Sequence, residues 1–259
     1  MPELPEVETV VRGLAARVVG QQIVNVRFFS PRAALGQPDE TAAALRGRRI
    51  CRLRRLGKHI LFDLDSGVLE VHLRMTGKLL WNGVTNPYTR AILELTGGAL
   101  VFNDTRQFGY LTWRRGDPNL GPDALGIPEE RFAEILRSRR GRIKPLLLNQ
   151  SVISGLGNIY VDESLFRARI HPLAFSSKLS EERLRRLHRM IQEVLAEAIA
   201  AGGSSISDYV DAEGRPGWFQ VGHRVYGRDG EPCVTCGRGI RRTVVGQRGT
   251  HFCGYCQRR

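Results

Sequence analysis

Four cysteines crowd into the last 27 residues, and they constrain the fold more than any other feature. Cys233-x2-Cys236 and Cys253-x2-Cys256 are separated by 16 residues. Two such pairs can present four thiolates tetrahedrally, the arrangement structural Zn²⁺ prefers, and four sulfurs leave no coordination position for water. The spacing predicts one structural zinc and no catalytic metal. A tail this short has little core of its own, so its folding depends on a metal whose binding is worth roughly 10–16 kcal/mol at neutral pH. The fifth cysteine, Cys51, stands alone in a basic, strand-like stretch. One isolated thiol beside a tight group of four is not a secreted disulfide framework, so a reducing, cytoplasmic setting is expected, with Cys51 a buried structural thiol.

The tail from Arg224 to Arg259 carries eight arginines against Asp229 and Glu231, so the metal supports a strongly basic hairpin. Arg248 lies where the chain must turn back between the cysteine pairs and is expected to face phosphates. The whole chain has 39 Lys and Arg against 26 Asp and Glu, a formal charge of +13. With 42% hydrophobic residues it reads as a folded protein with a polyanionic partner, most simply nucleic acid. Only Lys58, Lys78, Lys144 and Lys178 are lysines. No apolar run is long enough to span a membrane, and MPELPEVETV, with its three glutamates, is not a secretory signal.

At 259 residues the chain suits one large domain or two ordinary ones. Val7, Val10, Val11 and Leu14 recur at helical spacing in the first 16 or so residues. From residue 22 to about 113 the period shortens. IVNVRFF (23–29), HILFDLD (59–65), VLEVHL (68–73), AILEL (91–95) and ALVFN (99–103) are β-rich runs divided by turn residues, as in an antiparallel sandwich or barrel. Residues 116–128 are rich in Gly and Pro and read as a linker. Pro128 suits the first position of a helix through Phe132, Ile135 and Leu136. Ser180 can cap a longer helix with an apolar stripe from Leu184 to Ile199, ended by Gly202-Gly203.

Residue 2 is proline. Methionine aminopeptidases remove Met1 before a small second residue, so Pro2 is expected to become a free secondary amine. Such an amine attacking an aldehyde-like carbon gives an iminium that is cationic without a proton and serves as an electron sink for elimination. Glu3 and Glu6, on the following helical turn, can donate or accept protons. Capping acids that simply start a helix are the plainer reading of the same residues.

MPELPEVETV, DTRQFG (104–109), GLGNIY (155–160), VYGRDGEPC (225–233) and the four-cysteine finger together resemble bacterial formamidopyrimidine-DNA glycosylases of the purine-lesion branch, in register from Pro2 to Cys256. The resemblance implies an α+β multidomain protein. A catalytic antiparallel β-sandwich with an N-terminal helix would occupy 1–115. After a 116–128 linker would come a helix–two-turn–helix DNA-binding domain at 129–222 and a zinc finger at 223–259. It implies a bifunctional glycosylase and abasic-site lyase, a monomer acting on double-stranded DNA with oxidised bases or abasic sites, in the cytoplasm at the nucleoid. Pro2 would be the nucleophile, Glu3 the acid that opens the sugar and shuttles protons, and Lys58 a catalytic phosphate contact. Glu6 and Lys144 would support the site. Met75, Arg106 and Phe108 would fill the gap left by an everted nucleotide and read the opposite base. Asn158 and Arg248 would grip phosphates. The segment 202–219, with Ser204, Ser205, Tyr209 and Arg215, would cap the lesion.

Departures are visible. Arg74 stands where glycine is frequent, Gln107 replaces a common second arginine, and Arg215 replaces a lysine of some relatives. These positions bear on the lesion range and the opposite-base preference. A sister enzyme of the endonuclease VIII type would share Pro2 and Glu3 but commonly begins MPEGPE; Leu4, Met75, Arg106 and Phe108 favour the purine branch. A noncatalytic damaged-DNA binder is disfavoured by intact Pro2 and Glu3, and a metal-independent RNA-binding protein by the finger.

Overall fold

The computed structural model describes residues 1–206 and 208–259; Ser207, inside the expected capping segment, lies outside the described residues. The chain forms two compact units, Met1–Pro118 with Ile199–Trp218, and Asn119–Ala198 with Phe219–Arg259.

The first unit opens with helix α1 (Leu4–Val18), which starts at Glu3 as N-cap with Pro5 in the first turn. Val7, Val10, Leu14 and Val18 line its buried face, and Gly20, at φ +88, lets the chain turn away. Strand β1 (Ile23–Phe28), helix α2 (Pro38–Leu45) and strands β2 (Ile50–Leu56), β3 (His59–Leu64), β4 (Val68–His72), β5 (Lys78–Trp81), β6 (Thr89–Leu95), β7 (Gly98–Asn103) and β8 (Tyr110–Arg114) follow. They form two four-stranded antiparallel sheets, ordered β1-β6-β7-β5 and β2-β3-β4-β8. Leu93, Leu100 and Phe102 of one sheet, Ile60, Phe62, Val71 and Leu111 of the other, and the α1 stripe share one core, the expected sandwich with its helix.

The five anticipated runs are all strands. Strand β2 is masked in the sequence because its arginines interrupt the alternation; Arg54 is held across the sheet by Asp63 on β3. Cys51 is exposed, not buried as expected. The register of β2 slips between Ile50 and Arg52, and at such a bulge two successive residues face the same side, so Cys51 and Arg52 both point outward.

In the second unit Asn119–Pro128 packs on the helices: Ala124 and Ile127 are buried, and their carbonyls accept from Gln192 and His188 of the long helix. Helices α3 (Glu129–Arg137), α4 (Ile143–Leu148), α5 (Asn158–Arg167) and α6 (Glu181–Ala200) follow, the last two residues of α6 counting with the first unit. Pro128 is the N-cap of α3, one position earlier than expected. Ser180 caps α6 by accepting from the Arg183 backbone at 3.3 Å. Strands β9 (Arg241–Val245) and β10 (Arg248–Phe252) form the tail hairpin. Its small core joins Phe166, Val225 and Ile240 to Cys233 and Cys253. Among the described residues no helix is long and apolar enough to cross a membrane.

The β3–β4 turn tests the sandwich. Gly67 has φ +78, and a Cβ there would come within 2.6 Å of the Arg114 carbonyl. Gly67→Ala is expected to cost more than the ~1–2 kcal/mol of left-handed backbone alone, read as a lower urea midpoint at unchanged slope.

Candidate functional site

The N-terminus of the first unit is built inward. Pro2 is buried, and Glu3 and Glu6 are 3% and 1% exposed. The Glu6 carboxylate accepts from the Glu3 backbone at 2.7 Å through one oxygen and from the Ser204 backbone at 2.7 Å through the other. Tyr209 donates its hydroxyl to the Glu6 carbonyl at 3.2 Å, and burial pushes its pKa above the usual range. Gly203 allows this approach, since a Cβ there would lie 2.9 Å from the Glu6 carboxylate. The expected capping segment is thus tied to the first helical turn. The Ser205 hydroxyl donates to the Tyr209 carbonyl and accepts from the Gly217 backbone. Arg215 is exposed and paired with Asp211 and Glu213.

Lys58 occupies the two-residue turn between β2 and β3, where Gly57 supplies the positive φ of 57° that such turns need. At 5% exposure it is no ordinary surface lysine. Arg55 fixes this turn by bonding the Gly57 carbonyl at 3.0 Å and Glu8 of α1 at 2.9 Å. Behind Lys58, Glu70 is fully buried and accepts from Tyr110 at 2.7 Å and pairs with His59 at 2.8 Å. Burial alone would raise the Glu70 carboxyl, but the bonds from His59 and Tyr110 outweigh it and hold it below the usual range. His72 packs edge-on to His59 at 4.4 Å. Burial, together with the charges of His59, Arg74 and Lys58, pushes its pKa down to about 2. The neutral ring therefore accepts from the Arg74 backbone at 3.0 Å, which steadies a non-glycine residue at φ 51 beside Met75.

Met75, Arg106 and Phe108 come together through Asp104. Its carboxylate, 1% exposed, accepts from the Arg106, Phe108 and Gly109 backbones at 3.1, 2.9 and 2.8 Å and from the Thr76 hydroxyl. One acid thereby joins the Met75 turn to the 105–108 turn. Phe108 is left 53% exposed with the Arg106 guanidinium 4.9 Å from its ring centre.

In the second unit Asn158, the first residue of α5, donates to the Gly249 carbonyl at 2.9 Å. Lys144, expected to support the active site, is fully buried and its ammonium bonds Asp162 at 2.6 Å and the Gly249 carbonyl at 3.1 Å. Asp162 also accepts from the His251 backbone at 2.9 Å. These bonds grip the start of β10, and Arg248, exposed, is presented there. Its neighbour Glu163, also fully buried, accepts from the Arg224, Val225 and Tyr226 backbones at 2.9–3.0 Å, where the chain runs into the finger. Sequence reasoning singles out none of Asp104, Asp162 and Glu163; the available signals were the acid opening DTRQFG and an acidic pair inside an apolar helix.

The four cysteine sulfurs lie within 4.8 Å of one another, with Cys233–Cys256 at 3.9 Å and Cys236–Cys253 at 3.6 Å. A tetrahedron with Zn–S near ~2.3 Å has edges of about 3.8 Å. The donor set fits one structural zinc.

Family models match in three stretches: the formamidopyrimidine-DNA glycosylase N-terminal domain over residues 1–111, its H2TH domain over 120–210, and a zinc finger found in FPG and IleRS over 230–259. The formamidopyrimidine-DNA glycosylase of Solibacter usitatus is 52% identical over 265 residues, covering 100% of both chains. That of Thermus thermophilus is 46% identical, covering 99% of this chain and 98% of its own. Among solved structures, a Lactococcus lactis FPG mutant in complex with Fapy-dG-containing DNA aligns with TM-score 0.91 at 38% identity over 100% of both chains. The Thermus thermophilus MutM (FPG) protein aligns at 0.88 with 44% identity, over 99% of this chain and 98% of that one. Fold, finger and matches together define a DNA-repair glycosylase with a structural zinc site. The chain belongs to the formamidopyrimidine-DNA glycosylase family.

Asp104→Ala leaves buried backbone donors without an acceptor, at about 1–3 kcal/mol each. It should lower the urea midpoint and open residues 105–108 to limited proteolysis, with Asp104→Asn intermediate. The His72 shift has a definite sign. Its folded pKa lies below the unfolded value near 6.5, so the unfolded chain takes up the proton first, and stability is lost as pH falls below about 6.5. His171 and His223 act the same way. The difference between wild type and His72→Gln between pH 6.5 and 5 should therefore approach one proton, ~1.4 kcal/mol per pH unit.

Proposed function

We propose that the protein is a bifunctional DNA glycosylase and abasic-site lyase that removes oxidised purines, 8-oxoguanine and formamidopyrimidines, from double-stranded DNA. The observation that carries this reading is the first helical turn, where Pro2, Glu3 and Glu6 are buried together. After Met1 is removed, the Pro2 nitrogen attacks C1′ of the damaged nucleotide and the C1′–N bond to the base breaks, the base leaving with a proton. Glu3 protonates the ring oxygen, the sugar opens, and an iminium joins Pro2 to C1′. Loss of a C2′ proton expels the 3′ phosphate, a second elimination expels the 5′ phosphate, and hydrolysis of the iminium returns the amine.

The buried Lys58 turn supports a phosphate contact near the lesion. Exposed Phe108, stacked Arg106 and tethered Met75 support filling of the vacated stack and reading of the opposite base. Asn158 and Arg248 act on phosphates, Lys144 and Asp162 position the hairpin between them, and Ser204, Ser205, Tyr209 and Arg215 cap the everted nucleotide. Relatives solved with Fapy-dG, abasic-site and carbocyclic 8-oxo-G DNA support the substrate class. The division of labour follows 1–115 for catalysis, 129–222 for DNA binding and 223–259 for the zinc finger, joined by 116–128. The protein works as a monomer in the cytoplasm, at the nucleoid.

Borohydride trapping on a duplex with 8-oxoguanine opposite cytosine tests the chemistry. A covalent protein–DNA product is expected, absent in Pro2→Gly and when Met1 is retained. Strand cleavage with no trapped product would overturn the iminium route. Faster excision of thymine glycol than of 8-oxoguanine would move the chain to the endonuclease VIII type.

A further inference from the structure

Beside the cysteine cluster the second unit holds a cavity of 660 Å³ that the lesion chemistry does not use. Five arginines line it, Arg169, Arg183, Arg186, Arg258 and Arg259, together with the zinc-site residues Cys236 and Cys256; no Asp or Glu is among its lining residues. Four thiolates on one Zn²⁺ carry a net charge of about −2, which offsets two of the five guanidinium charges and leaves three. Elsewhere in this unit arginines meet acids: Arg137 and Arg185 pair with Glu181 and Arg167 with Glu197. Among the described residues none of the five cavity arginines has such a partner. Two are fixed by backbone carbonyls, which carry no countercharge: Arg183 bonds Arg258 at 2.8 Å and Arg186 bonds Ala168 at 3.0 Å. Arg183 and Arg186 also share one face of α6 three residues apart, a like-charge spacing that weakens a helix. Burial, with the nearby charge of Arg186, pushes the Arg183 guanidinium below its usual range.

The cavity has the size of a small-molecule site, and guanidinium forks match pairs of phosphate oxygens. The three guanidinium charges that the zinc site does not offset are too many for a single monoanion. The cavity is also remote from Arg248: the cysteines lie beyond the far end of β10, five residues of strand or about 17 Å away. We propose that this cavity is a second oxyanion site, apart from the residues assigned to lesion DNA, for a phosphate-class ligand bearing two or more charges. The ligand is either a free di- or triphosphate or successive phosphodiesters of a nucleic-acid strand.

The test uses the zinc-loaded full chain and inorganic pyrophosphate, titrated by calorimetry at constant ionic strength. Wild type should bind one equivalent saturably. Arg183→Ala/Arg186→Ala, which keeps good helix formers in α6, should bind at least tenfold more weakly with zinc content and far-UV dichroism unchanged. Arg258→Gln/Arg259→Gln probes the same cavity without touching the helix and should show the same loss. Arg248→Ala should bind pyrophosphate as wild type does. No saturable binding, binding by both double variants as tight as that of wild type, or a loss confined to Arg248→Ala would overturn the proposal. The source is set by a second arm: with abasic-site duplex saturating the protein, a short undamaged oligonucleotide displaces pyrophosphate if the ligand is a strand and leaves it bound if the ligand is free phosphate.

Discussion

The Glu6 carboxylate is the joint on which the site of the first unit depends. One oxygen holds the Glu3 backbone and the other the Ser204 backbone, 198 positions further along the chain. A buried carboxylate without partners is strongly destabilising. Here two charge-assisted bonds to amides and the positive end of α1 offset that cost. Because both bonds reach the main chain, they fix the backbone at Glu3 and at Ser204 whatever side chains those segments carry.

The same device recurs in other turns of the chain. Turns lack a ladder of hydrogen bonds, so their amides need other acceptors. Asp104 gathers three amides and a hydroxyl, Glu163 three amides, and Asp162 an amide and the Lys144 ammonium. Each acid is buried, and Arg106, Phe108 and Arg248 nearby are exposed, whereas Lys144 is buried with Asp162. The split follows from desolvation: a carboxylate surrounded by amides is satisfied inside, whereas a guanidinium without a carboxylate partner keeps its donors in water. His59, Glu70 and Tyr110 form a further buried polar group, and burial next to it keeps His72 neutral near neutral pH.

Much of this was legible locally. The zinc ligands follow from spacing, since each cysteine pair forms its own turn. Helices α1 and α6 follow from a stripe of period near 3.6, and the five strands from alternation or β-branched runs. Strand β2 was hard to read because paired arginines broke the alternation, and Cys51 was misplaced because a one-residue bulge cannot be seen in a hydrophobicity pattern. Lys144 was tied to an active-site motif by resemblance, but its partners, Asp162 and the Gly249 carbonyl, lie 18 and 105 positions away.

The sequence by itself determined the chemistry that local order can carry: a proline at the second position, two acids close behind it, four thiolates in two pairs, and an excess of arginine. Those properties depend on covalent identity and near-neighbour spacing. Only the tertiary structure decided which acids would be spent on backbone amides, that Lys58 would be buried, that Phe108 would be exposed, and that five arginines would face one cavity. Each of these is a matter of desolvation, and whether a group keeps its water depends on segments far away in the chain.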